Sequence, residues 1–123
     1  LSGGGMLNTG SVAISGSTLS GNSAGINGGG GIWNSGSVSV SSSTLSGNSA
    51  FNGGGILNIG SVSVSSSSLS GNIAQTNGGG IYNRGSLTLS FSTITLNTAS
   101  IRGGGIFNFT GFTAVLNSST VSG

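Results

Sequence analysis

Two arginines, Arg84 and Arg102, and one tyrosine, Tyr82, are the only ionisable side chains in a sequence of 123 residues that has no Asp, Glu, His, Lys or Cys. General acid–base catalysis needs a side chain that exchanges a proton near working pH, and here only Tyr82 and the chain ends are left for it. Serine is abundant, but a hydroxyl nucleophile needs an adjacent base to take its proton, and none is present. Zinc wants Cys, His or carboxylate ligands and calcium wants several carboxylates, so no dedicated metal site can be assembled. No catalytic, cofactor-binding or metal-ligating residue is therefore assigned, and the chain is not expected to be an enzyme.

Partners are bounded in the same way. Phosphate recognition needs clustered Lys or Arg, and a net charge of +2 from two separated arginines does not supply a nucleic-acid surface. The pI near 10.8 reflects missing acids, not many bases. No apolar run approaches the ~18 residues that suggest a membrane span, and the start of the sequence carries no signal-like pattern. Asn108 and Asn117 head Asn-x-Ser/Thr triplets, weak glycosylation signals.

What, then, must such residues be positioned by? With 27 glycines and 2% charged residues, low-complexity disorder is the first reading. Disordered chains, however, combine low hydrophobicity with charge or proline, whereas this one has no proline and a mean hydropathy of +0.31. The decisive feature is a period. Glycine triplets begin at Gly3, Gly29, Gly53, Gly78 and Gly103, in steps of 24 to 26 residues. Repeats of this length are the mark of a solenoid.

Alignment on the triplets gives GGGMLNTGSVAISGSTLSGNSA, GGGIWNSGSVSVSSSTLSGNSA, GGGILNIGSVSVSSSSLSGNIA and GGGIYNRGSLTLSFSTITLNTA, then an altered fifth copy, GGGIFNFTGFTAVLNSSTVSG. Length varies among the first four copies only between the Ala after "LSGN" and the next triplet, as at a surface loop. The fifth copy holds two extra residues between Asn108 and Ala114. Within each copy, alternation such as SVSVS is a strand period, and Ser, Gly and Asn leave room for about three short strands. The sequence predicts one domain over 1–123, an all-β, right-handed parallel β-helix of about five coils of ~25 residues.

The columns then acquire roles. Met6, Ile32, Ile56, Ile81 and Ile106 form one inward ladder; Val12, Val38, Val62 and Leu87 a second; Ile14, Val40, Val64 and Leu89 a third; Leu19, Leu45, Leu69, Ile94 and Val121 a fourth. Ala24, Ala50, Ala74 and Ala99 fill a narrow corner. Asn8, Asn34, Asn58, Asn83 and Asn108 repeat at one turn, and Asn22, Asn48, Asn72 and Asn97 at another. Asparagine tolerates left-handed backbone and bonds its own backbone, so both sets are expected to be structural amide ladders at corners. The triplets are expected where a Cβ would clash. They lack the Lys and helix of a phosphate loop.

Leu-Ser-Gly-Asn at 19–22, 45–48 and 69–72, with the degraded Ile-Thr-Leu-Asn at 94–97, each followed by Ala and a GGGI-type triplet, resembles the FxxN and GGA[ILV] repeats of chlamydial polymorphic outer-membrane proteins and related autotransporter passengers. Leu stands for Phe and Gly for Ala. The resemblance runs along essentially the whole sequence and implies a secreted β-helix with surface or adhesive roles and no catalysis. β-Helices also carry polysaccharide lyases, whose charged active-site residues are missing here.

Two surfaces remain. Uncapped solenoid ends expose rungs of unpaired backbone. The last copy holds 21 residues from Gly103 to Gly123, and Leu1 and Ser2 of a second chain would bring it to 23, so copies stacked head to tail nearly complete the turn. Contacts of this kind that do not close give filaments. On the outside, Leu7, Trp33, Leu57, Tyr82 and Phe107 make an apolar column, expected to face water as a lateral interface, with partial burial by twist or stacking on sugars as the other readings. Thr18, Thr44, Ser68, Thr93 and Thr120 give a single hydroxyl rank, short of the paired ranks of an ice-binding array. The expected function is thus a non-enzymatic extracellular structural subunit, bacterial and without cofactors, that polymerises head to tail. The alternative is a segment of a larger surface adhesin that binds glycans or host surfaces.

Overall fold

The computed structural model describes residues 2–123; Leu1, counted above in the head-to-tail turn, lies outside them. The chain winds into a β-solenoid in which each coil lays its strands beside those of the next, every pairing being parallel. Three five-stranded sheets run the length of the solenoid. The first is made of Met6–Asn8, Ile32–Asn34, Ile56–Asn58, Ile81–Asn83 and Ile106–Asn108. The second takes the five-residue strands Ser11–Ser15, Ser37–Ser41, Ser61–Ser65, Ser86–Ser90 and Thr113–Asn117. The third takes Thr18–Ser20, Thr44–Ser46, Ser68–Ser70, Thr93–Thr95 and Thr120–Ser122. A short sheet of Ser49–Ala50, Ile73–Ala74 and Thr98–Ala99 completes the coil ahead of the triplets.

Register follows the sequence columns. Ile32, Ile56, Ile81 and Ile106 are successive partners, as are Val38, Val62, Leu87 and Ala114. Because side chains alternate across a strand, one face of each strand points inward, and like residues from successive coils meet. Ile32, Ile56, Ile81, Val40, Val64, Leu45, Leu69, Leu89 and Ile94 are all 0% exposed. The pairing of Asn83 with Asn108 and Leu87 with Ala114 confirms the two extra residues in the fifth coil, which widen its turn. Among the described residues no helix is long and apolar enough to cross a membrane.

Left-handed backbone lies elsewhere than expected. None of the nine ladder asparagines has a positive φ; Gly21, Gly47, Gly71 and Leu96 do, each one residue ahead of an asparagine, with φ of 56 to 64°. Gly16, Ser42, Ser66, Phe91 and Ser118 form a second such column. The residue before the polar ladder therefore turns the chain, which frees the asparagine to keep extended geometry and send its side chain inward.

Candidate functional site

In the first sheet each strand reads inward aliphatic, outward residue, inward asparagine, and in the middle coils both inward positions are closed. Asn34, Asn58 and Asn83 are 0% exposed. The Asn58 amide Nδ2 donates to the Asn83 Oδ1 at 2.7 Å, the Ser86 carbonyl at 3.0 Å and its own turn at Gly60, while its Oδ1 accepts from the Asn34 Nδ2 and the Gly60 N–H. The same chain of bonds starts at Asn8 and reaches Asn108, whose Nδ2 turns to the Phe112 carbonyl in the widened fifth turn.

The second ladder is built differently. The Asn72 Oδ1 accepts from both the backbone N–H and the Nδ2 of Asn48, and its own Nδ2 donates to the Asn97 Oδ1 and back to the Leu45 carbonyl. Asn22 joins the same ladder through Asn48. Among the described residues every buried side-chain N or O has a partner. In the middle coils neither ladder leaves a buried amide free for a ligand, so there both act on the coils themselves.

A third ladder was not foreseen in the sequence. Ser43, Ser67 and Ser92 point inward, and each Oγ accepts from the backbone N–H one coil back while donating to the carbonyl two residues earlier. The signal was present: Ser17, Ser43, Ser67, Ser92 and Ser119 put serine at one slot in all five copies, lost to view among so many other serines.

The outward column is the part open to partners, and it corrects the expectation of a water-facing stripe. Leu7 is 48% exposed, but Trp33 is 3% and Leu57 7%, while Tyr82 and Phe107 are half-buried. Asn27 and Asn52, from the corner where the copies differ in length, border the column before its strand, and Ile59 and Arg84, which follow the ladder asparagines, border it after. Between them a depression of about 300 Å³ opens over Leu57, closed at one end by Trp33 and at the other by Tyr82. The Tyr82 ring stacks on Phe107 with centroids 5.3 Å apart and planes 24° apart, and the Arg84 guanidinium lies 4.9 Å from the centre of the Phe109 ring.

The hydroxyl rank also needs correcting. Ser20, Ser46, Ser70, Thr95 and Ser122 are in register on the same face of the third sheet as Thr18, Thr44, Ser68, Thr93 and Thr120, so there are two ranks and not one. Half of this face is serine, and Phe91 and Leu96, 71% and 72% exposed, stand at its borders in the fourth coil.

Residues 66–84, which run from the third strand of one coil through "LSGN" and the triplet to Arg84, match the family model of the Chlamydia polymorphic membrane protein repeat. The resemblance seen in the sequence thus holds over that segment, which contains Asn72, Tyr82 and Asn83. No curated protein and no solved structure matches the chain.

Proposed function

We propose that this chain is a non-enzymatic structural module of a bacterial surface, a solenoid unit that stacks head to tail on copies of itself. The observation that carries this reading is the register of the coils, which lays like residue on like from one rung to the next. Inward residues of the middle coils are fully covered, whereas their equivalents in the fifth coil, Leu116 and Val121, are 45% and 40% exposed. At the other end Met6, Val12 and Leu19 are also only partly covered. A second copy in register brings Val121 onto Leu19, Phe107 onto Leu7 and Asn108 onto Asn8, so the columns continue with like against like. The likeness of residues 66–84 to a membrane-protein repeat supports placement at a surface.

Stacking of five coils advances the axis by roughly 24 Å at about 4.8 Å per rung. Electron microscopy of the purified chain tests this. Unbranched fibres with that axial repeat are expected, and dispersed single solenoids at high concentration would overturn it. Val121→Asp, which puts a charge on the end rung, is expected to disperse the fibres while leaving each solenoid folded.

A further inference from the structure

The depression over Leu57 lies on the side of the solenoid, away from its ends, and its chemistry is specific enough to name an occupant. We propose that it is a binding site for an acidic sugar residue, a uronate or related carboxylated pyranose within a glycan. The proposal is independent of axial stacking, because the site is open whether or not the ends are covered.

The space arises from a size difference within one column. Trp33 and Tyr82 flank Leu57 on neighbouring rungs, and leucine leaves unfilled the volume that a ring occupies above and below it. Two rungs span about 9.5 Å along the axis. A ring seated between two others lies roughly 3.5–4.0 Å from each, about 7–8 Å in all, and the two rungs span that. Tyr82 already stacks on Phe107 through one face, so its other face is turned towards the Leu57 rung. That face is the platform; Trp33, almost wholly covered, closes the far end.

The rim supplies the polar recognition. Asn52 uses its Oδ1 for Thr76 and Asn77, but among the described residues its Nδ2 has no protein partner, and neither has the amide of Asn27. Two neutral amides along one edge of an apolar floor suit a ring that carries hydroxyls on its edge. Arg84 adds a charge, and the sequence contains no side-chain carboxylate to pair with it. An anionic ligand is therefore favoured over a neutral one. An extended peptide is disfavoured because strand addition needs a free sheet edge, and the backbone along this side is already paired between coils.

The test uses the purified chain, tetragalacturonate as acidic probe and a neutral galactose tetramer as control, with fluorescence of Trp33, the single tryptophan, as readout. The acidic tetramer is expected to bind with a Kd of about 1 mM or below, and the neutral one roughly tenfold more weakly. Arg84→Gln is expected to remove the preference and leave weak binding of both. Leu57→Phe fills the space and is expected to abolish binding; Tyr82→Ala, at a half-exposed position, removes the platform without crowding should Leu57→Phe fail to fold. Absence of binding at about 10 mM, or a preference that survives Arg84→Gln, would overturn the proposal. So would sugar-independent bundling of fibres that Leu57→Phe abolishes, which would give the space to a neighbouring solenoid.

Discussion

The two glycine-bearing corners of each coil look alike in the sequence but are constrained differently in the structure. The first glycine of the triplet shares the left-handed turn, with φ of 63 to 67° at Gly53, Gly78 and Gly103, but at the second and third the constraint is space. A Cβ on Gly54 would lie 2.5 Å from the carbonyl oxygens of Gly79 and Ile73 and 2.6 Å from the Ile73 nitrogen, all backbone atoms that cannot swing aside. At the Ser-Gly-Asn corner the constraint is conformation alone. Gly71 has a φ of +62° and nothing within 4 Å of a notional Cβ. The fourth coil demonstrates the difference, for it puts Leu96 at the position of Gly71, with φ 56° and its side chain 72% exposed, whereas the second and third glycines of the triplet are kept in every coil. One corner is fixed at its second glycine by the Ile73 strand and by the triplet backbone of the next coil, and the other only by its own turn.

The comparison breaks most visibly at Gly54. Gly54→Ala must push apart the first sheet and the short sheet, in the middle of the stack where both neighbouring coils resist. A loss of more than about 3 kcal/mol, or failure to fold, is expected in urea denaturation of the purified chain. A near-neutral outcome would show that the corners give way easily, and would leave only conformation to explain the triplets.

Asn72→Ala is the next largest. The third glycine of the triplet and the second asparagine ladder share space: a Cβ on Gly55 would approach the Asn72 Nδ2 at 3.3 Å. The amide thus fills the room that the glycine leaves, and couples the two corners across the interior. Truncation strips partners from the Asn48 N–H and the Leu45 carbonyl within the buried stack, while the Asn97 Oδ1 keeps the Asn72 backbone N–H. With each buried unsatisfied group costing about 1–3 kcal/mol, and some recovered by water, a loss of roughly 3 kcal/mol is expected. Asn52→Ala, at the rim of the depression, should by contrast leave stability within about 0.5 kcal/mol.

These residues also show how far the sequence could be read. The period of the triplets and the alternation in SVSVS are set by the stacking of like on like, so coil number, strand positions and inward columns were all legible. The covering of Trp33 and Leu57 was not, because the residues that border them, Asn27, Asn52, Ile59 and Arg84, come from corners of differing length and sequence that carry no periodic signature. The left-handed positions were misplaced onto asparagine for a related reason. Residue preference names asparagine as tolerant of such backbone, but the asparagines of both ladders are bonded to neighbouring coils, and at the second ladder the turn falls to Gly21, Gly47, Gly71 and Leu96 before them. The serine ladder escaped because composition hid it: a hydroxyl inside and a hydroxyl outside are the same letter.

Gly71→Ala sharpens the contrast from the gentle side. With open space around the new methyl, only the left-handed φ is penalised, and a loss of about 1 kcal/mol is expected. The ratio of this loss to that of Gly54→Ala measures directly how much more the triplet corner is constrained.

The smallest expected effect is that of pH, which acts on neither corner. Stability changes with pH only where folded and unfolded chains bind different numbers of protons. Apart from the chain ends, no side chain here is of a type that titrates between about pH 4 and 9, and the corners are held by amides, hydroxyls and backbone. Folded and unfolded chains then carry equal protons across that range, the slope is zero, and the urea midpoint should not move between pH 5 and pH 9. Salt should leave it equally unmoved, while weakening acidic-sugar binding through Arg84 by screening. A stability that stays flat while binding falls with salt would separate the neutral frame from the single charge it displays beside Leu57.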